Sequence, residues 1–262
     1  MNGDALNVRL YGPDAGRPLL ALHGVTGHAA RWEALAAELP DVRLIAVDLR
    51  GHGRSPWTPP WRFEQHVADV LAVLDARGLD RVAVAGHSFG GAIAVHLSRL
   101  APERVERLVL LDPALGLDPQ HMLETAEQSR ADLSFATVAE ATADRAERWG
   151  PDVPSELVTA EIAEHLVADG DRFRYRICQS AVVTAWSEMA RPAITPPAGV
   201  PTLLLPAAKA DYVDPAWVEA CRAELGDAFT VAEIDSGHML ILERPAEVAD
   251  HIRGFLAREF RG

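Results

Sequence analysis

Ser88 sits between two glycines in Gly86-His-Ser88-Phe-Gly90. A G-x-S-x-G pentapeptide lets the backbone turn sharply and present a hydroxyl at the end of a strand. The flanking residues supply that setting. Arg81 to Ala85 is a short β-branched and apolar run with no helical period, which reads as a buried strand. From Gly90 onward, Ala92, Ile93, Val95 and Leu97 read as a helix packed close to a sheet, with a third glycine at Gly91. The Ser88 hydroxyl then lies at a helix N-terminus, where backbone N–H groups favour developing negative charge.

Serine is a weak nucleophile at its own pKa, so it needs a base, and the base needs an orienting acid. Of ten histidines, His238 is the best candidate base. It lies in a glycine-containing loop, Asp235-Ser-Gly-His238, just after a strand and after Ser88 in the chain. His23, His52 and His87 also fall near strand ends, where hydrogen bonding within their own turns explains them. His28, His66, His96, His121, His165 and His251 fall on predicted helices or near the surface and read as solvated or packing residues. Two aspartates follow strands in the right order. Asp211 lies in the loop after Pro201 to Leu205, and Asp112 directly ends the strand Arg107 to Leu111. Asp211 is preferred, Asp112 is the alternative, and Asp214 before Pro215 reads as a helix N-cap. Such an acid would fix the imidazole tautomer and stabilise the imidazolium formed during attack. Charge developing on a substrate carbonyl needs preset donors, and the backbone N–H groups of Val25 and Phe89 are placed for this.

The elements that must hold these residues alternate. Leu6 to Tyr11, Pro18 to Leu22, Val42 to Val47, Arg81 to Ala85 and Arg107 to Leu111 read as strands. Amphipathic helices fall between the later ones, carrying Trp32, Leu35, Ala36 and Leu39, then Phe63, Val67, Val70, Leu71 and Leu74. This rhythm implies an α/β fold with a mostly parallel, doubly wound sheet flanked by helices. His23, Asp48, Ser88 and Asp112 then share the C-terminal ends of the strands, where such sheets collect their chemistry. The rhythm breaks between about Ala114 and Gly199. That polar stretch has helical patterns over Glu124 to Arg130, Val138 to Trp149, Ser155 to Val167 and Ser180 to Met189, with no strand comparable to the others. It reads as a helical cap, 114–199, inserted into a core domain made of 1–113 and 200–262. The alternation of Arg172, Arg174 and Arg176 with Phe173, Tyr175 and Ile177 reads as a solvated face over an apolar one rather than an anion site. Pro201 to Leu205 and Phe229 to Ile234 resume the sheet.

Composition narrows the partners. The 262 residues are 48% hydrophobic, enough for a sizeable core, and carry a formal net charge of −13. With no basic run to offset that charge, a nucleic-acid partner is not expected. No apolar run approaches membrane-spanning length, and Met-Asn-Gly-Asp-Ala-Leu lacks the charged and apolar regions of a signal peptide. Cys178 and Cys221 read as reduced thiols in a cytoplasmic protein. No Cys/His cluster has metal-ligand spacing, so no metal is expected, and no phosphopantetheine or nucleotide signal points to a cofactor.

Together, His23-Gly24, Asp48-x-Arg50-Gly51-x-Gly53-x-Ser55, the Ser88 pentapeptide and Gly237-His238 with Glu243-x-Pro245 resemble the α/β-hydrolase superfamily, in its order and spacing across nearly the whole chain. The resemblance implies Ser88 as nucleophile, His238 as base, an acid that lands on Asp211, and a helical cap after the strand that follows the nucleophile's. The chain departs from the pattern in Pro206-Ala-Ala-Lys-Ala-Asp211, which has alanine for the usual glycine and one extra residue. It departs again at the start, where the superfamily's first edge strand is expected to be missing or very short. Serine at position 88 argues against the dehalogenase and epoxide hydrolase branches, which use a carboxylate nucleophile. The implied activity is hydrolysis of carboxylic esters with a small to medium, largely apolar small-molecule substrate. The alternatives are C–C bond hydrolysis of ring-cleavage products and a weakly catalytic ligand-binding protein on the same fold. Trp186, in the last cap helix, is a candidate substrate contact, and Phe89 a further pocket residue.

Overall fold

A computed structural model describes residues 5–131 and 134–260; the first four residues, part of the N-terminal stretch read above, lie outside them. Strands β1 (Val8–Tyr11), β2 (Arg17–Leu22) and β3 (Val42–Val47) come first, with the short helix α1 (Glu33–Ala37) between β2 and β3. Helix α2 (Phe63–Asp75) leads into β4 (Val82–His87), α3 (Phe89–Leu100) and β5 (Val105–Leu111). The interrupting segment holds α4 (Pro119–Gln128), α5 (Val138–Trp149), α6 (Ser155–His165), β6 (Leu166–Asp169), β7 (Arg172–Tyr175) and α7 (Gln179–Met189). The chain ends with β8 (Thr202–Leu205), α8 (Pro215–Leu225), β9 (Phe229–Val231), α9 (Leu240–Glu243) and α10 (Pro245–Ala257).

The main sheet has the order β1-β3-β2-β4-β5-β8-β9, parallel throughout except for the antiparallel edge pair β1 and β3. The central strands read as unbroken apolar runs because both of their faces are covered. Leu20 and Leu22 of β2, Val84 of β4 and Leu108 and Leu110 of β5 pack on one side with Phe63 and Val70 of α2, Ile93 of α3 and Trp217 of α8. Leu19, Ala85, Val109 and Leu111 face the other side, against Leu35 of α1 and Val248, Ile252 and Phe255 of α10. Side chains alternate between the faces with the strand period of two, which produces two cores from one sheet. Each fully buried leucine here is worth about 2 kcal/mol of transfer free energy.

Local signals set the ends of elements. Asp214 Oδ1 accepts from Ala216 N at 2.8 Å and starts α8. Gly78 adopts φ 62° after α2, a conformation a Cβ would disfavour. Arg50 grips Asp69 of α2 through Nε and Nη2, at 2.6 and 2.7 Å, tying the loop after β3 to that helix. Asp48, at the end of β3, accepts from Ala29 N and Arg54 N at 2.7 and 2.8 Å, so this carboxylate shapes two loops.

The interrupting segment differs from expectation in one respect. It contains an antiparallel hairpin, β6 with β7, in which Leu166 pairs with Tyr175 and Asp169 with Arg172. The arginine–aromatic alternation there is a strand with Tyr175 turned into a small core against Ala141 and Ile162. The segment is fastened back to the β3 loop by Gly53 N to Arg176 O and Cys178 N to Gly51 O, both 2.8 Å.

Candidate active site

Ser88 lies between β4 and α3 with φ 54° and ψ −121°, a strained conformation for a residue with a side chain. The surroundings over-determine it. Ser88 N donates to Leu111 O at 3.1 Å, and Ser88 O accepts from Gly91, Ala92 and Ala114. Helix and sheet approach so closely at this turn that a Cβ on Gly90 would sit 2.1 Å from Leu22 O. The turn therefore depends on that glycine, and the strain is held by the packing of strand against helix.

The loop after β2 comes down beside the serine. A Cβ on Gly24 would lie 3.0 Å from Ser88 Cβ, so the His23-Gly24-Val25 backbone passes directly over the hydroxyl. Among the described residues neither the Val25 N–H nor the Phe89 N–H has a protein acceptor. His23 anchors this loop: its Nε2 accepts from Leu49 N at 2.9 Å, which leaves Nδ1 to donate to Gly24 O at 2.7 Å. Burial holds His23 well below the ordinary imidazole pKa, so it is neutral and structural.

His238 Nδ1 lies 2.6 Å from Asp112 Oδ2. This corrects the expectation that Asp211 would face the histidine. Asp211 is exposed, whereas Asp112 is 1% exposed and its second oxygen accepts from Ala207 N at 3.0 Å. The reason is positional. β5 is the direct neighbour of β4, so its end is beside the serine turn, and Asp112 with φ 43° bends its side chain toward the His238 loop. The loop after β8 contributes Tyr212 instead, whose ring stacks on His238 with centroids 4.0 Å apart. On the other side His87 Nε2 donates to His238 O at 2.7 Å, and Gly237 N donates to Glu243 Oε2 at 2.7 Å. Burial, and then the nearby His238, hold His87 well below the usual imidazole range, in keeping with a neutral donor.

Ser88 and His238 open onto one cavity of about 410 Å³. Among the described residues Ser88 Oγ is not hydrogen-bonded, and in unliganded sites such contacts commonly tighten only when substrate is present. Trp186 lines the cavity, with Nε1 donating to Ser129 Oγ at 2.9 Å. The Phe89 ring does not: it is wholly buried against Phe63 and His66. The wall also carries Arg31, Arg145, Arg148 and Trp149, which the sequence reading did not single out. Arg145 and Trp149 are four apart on α5 and so share one helix face, a pattern that was available. Guanidinium groups thus stand among the apolar side chains of this wall.

Behind it lies a buried charge cluster. Glu161 of α6 accepts from Arg31 Nη2 and Nε at 2.6 and 3.1 Å and pairs with His28 Nε2 at 2.7 Å, with Arg145 Nη2 at 3.6 Å. Burial alone would raise the Glu161 pKa, but Arg31, His28 and Arg145 together hold it well below the carboxylate range. His28 and His165 stack in this cluster at 4.5 Å, both buried, so neither is the solvated residue it could have been. Among the described residues no group of His, Cys, Asp and Glu is placed to hold a metal, and no helix is long and apolar enough to cross a membrane.

Comparison with known proteins agrees with this architecture. The family model of the alpha/beta hydrolase fold matches residues 17–245. The chain is 42% identical over 254 residues to the lipase LipV of Mycobacterium tuberculosis, covering 96% of this chain and 97% of that protein. It is 27% identical to the esterase YbfF of Escherichia coli, covering 91% and 92% respectively. Among solved structures, an esterase from a marine microorganism superposes with a TM-score of 0.79 at 24% identity, covering 96% of this chain and 99% of that one.

Proposed function

The chain belongs to the alpha/beta hydrolase fold family, and on that footing we propose that it is a serine hydrolase cleaving carboxylic esters of small molecules. The observation that carries the reading is that His238, paired with the buried Asp112, lines the same cavity as the strained Ser88. LipV and YbfF, named as lipase and esterase, support the same class of reaction.

In this reading His238 Nε2 takes the proton as Ser88 Oγ attacks the ester carbonyl, and Asp112 holds Nδ1–H so that Nε2 is the basic nitrogen. The free N–H groups of Val25 and Phe89 receive the oxyanion, and α3 adds the positive end of its dipole. Collapse expels the alcohol, which leaves with the proton from His238, and the acyl group stays on Ser88. Water then attacks with His238 again as base, releasing the acid and restoring the serine. These groups supply nucleophile, base and electrostatic stabilisation without a cofactor. The segment 114–199 acts as a cap, contributing Arg145, Trp149 and Trp186 to the wall that holds the substrate.

The test is hydrolysis of p-nitrophenyl esters from acetate to dodecanoate by the wild type and by Ser88→Ala. The expected result is turnover with an optimum at one chain length, reduced at least about a thousandfold in the variant. No turnover above the Ser88→Ala background across the series overturns the ester reading.

A further inference from the structure

The chain carries a formal net charge of −13, yet arginines stand in the wall of its catalytic cavity. Arg31, Arg145 and Arg148 line it, and no aspartate or glutamate is among its described lining residues. Arg31 spends its Nε and Nη2 on Glu161 and Thr26 O. Glu161 is bonded by Arg31 and His28 and forms only a longer ion pair with Arg145 Nη2, at 3.6 Å. Arg145 is only 4% exposed, and its Nε has no hydrogen-bond partner. Its guanidinium lies over the Tyr175 ring at 4.1 Å and the Trp149 ring at 5.4 Å and draws on the Tyr175 hydroxyl, so its near partners are two aromatic faces and a neutral oxygen, with Glu161 farther off. Burial lowers its pKa, the sign of a cation whose lost hydration is only partly replaced. Arg148, one turn-neighbour along α5, stands at the exposed rim, paired with Asp144 at 2.9 Å. A buried guanidinium without a full set of acceptors, on the wall of a substrate cavity, is an acceptor-seeking site, and its planar donor fork matches a carboxylate.

We infer that the preferred substrate is an ester bearing a carboxylate, held by Arg145 with Arg148 at the rim while the ester carbonyl faces Ser88. This rests on the ester hydrolase reading and sharpens its substrate class. The carboxylate takes no part in bond breaking. It completes the donor set of Arg145 and fixes which end of the substrate faces the serine. The positive wall also draws anionic substrates toward a protein that elsewhere repels them.

The deciding experiment compares two esters of equal acyl length, mono-p-nitrophenyl glutarate and p-nitrophenyl pentanoate. The wild type is expected to favour the glutarate by at least about tenfold in kcat/KM, equivalent to about 1.4 kcal/mol, chiefly through KM. The preference is expected to shrink as salt screens the charges. In Arg145→Gln, and less steeply in Arg148→Gln, the ratio of the two esters falls toward one. A merely structural arginine would slow both esters together and leave the ratio in place. Arg148 is exposed, so its variant remains informative if Arg145→Gln fails to fold. Preference for the pentanoate in the wild type, or a ratio unmoved in the folded variants, overturns the inference while leaving the ester reading intact. If neither ester shows Ser88-dependent turnover, the ester reading fails. The carboxylate site is then decided by calorimetric titration of glutarate into Ser88→Ala protein: Arg145-dependent binding upholds it, and no binding overturns it.

Discussion

Replacing Asp112 by asparagine keeps the shape of the side chain and removes its charge. The amide oxygen can still accept from Ala207 N, now 3.0 Å from Oδ1, so the buried position keeps one of its two bonds. The amide nitrogen must then face His238 Nδ1 across a gap of 2.6 Å. Because that nitrogen donates, it selects the tautomer with the proton on Nε2, the atom that has to accept the Ser88 proton. The base is lost, and the imidazolium loses its counter-charge in a pocket where Asp112 is 1% exposed and poorly screened. The same change in a serine protease triad lowers kcat about 10⁴-fold, or about 5.5 kcal/mol of barrier, and a comparable loss is expected here. Asp211 is exposed and its carboxylate does not contact His238, so Asp211→Asn is expected to stay within about threefold of the wild type. The assay is kcat on the best p-nitrophenyl ester, with thermal unfolding and near-ultraviolet circular dichroism confirming that both variants are folded. A folded Asp112→Asn enzyme retaining more than about a tenth of wild-type kcat refutes the argument, as does an Asp211→Asn enzyme that loses activity to the same degree.

Two other measurements probe the supports of the site. Burial holds His52 at about 4 and His66 at about 3, and also holds His23, His87 and His165 well below the ordinary 6.5. Folding keeps these rings neutral, so their contribution is fully present above pH 6.5 and is lost as pH falls toward their folded values, each costing about 1.4 kcal/mol per pH unit. Urea unfolding between pH 5 and 6.5 should therefore show falling stability, with the slope reduced by about one proton in His66→Gln; identical slopes would contradict this. Gly24→Ala places a methyl group 3.0 Å from Ser88 Cβ and 3.2 Å from His87 Nδ1. The two walls must give by a few tenths of an ångström, and kcat is expected to fall about three- to tenfold in a folded protein as the Val25 N–H loses its alignment; an unchanged kcat would count against the Val25 N–H as an oxyanion donor.

The parts of this molecule that are written locally were legible in the sequence. Ser88 and its turn depend on glycines within a few residues, and the central strands depend on short apolar runs, so both can be read from contiguous stretches. The carboxylate beside His238 is another matter. Asp112 and His238 are 126 residues apart, and which aspartate meets the imidazole depends on strand adjacency and on the backbone of a single residue at φ 43°. Spacing favoured Asp211, although the alanine-rich loop leading to it was already a sign that the usual turn is absent. The buried Glu161 cluster was hidden for the same reason. Its arginines, His28 and carboxylate come from the loop before α1, from α5 and from α6, and each alone resembles a solvated surface charge. The β6–β7 hairpin was visible as alternation, but its four-residue strands and charged outer face resembled a helical connection.

Placing the carboxylate at the end of β5 changes what the loop after β8 is free to become. Among the described residues that loop hydrogen-bonds Asp112 through the main-chain N–H of Ala207, a donor that every amino acid except proline provides. The carboxylate contact therefore does not depend on which side chains stand at Ala208 and Ala210. Tyr212, stacked on the imidazole, and Lys209, paired with Asp235 at 3.3 Å, are positions there through which a change would reach the His238 loop. If Ser88, His238 and Asp112 act as proposed, Tyr212 is a position in this loop where an exchange would reshape the cavity while leaving those three residues in place.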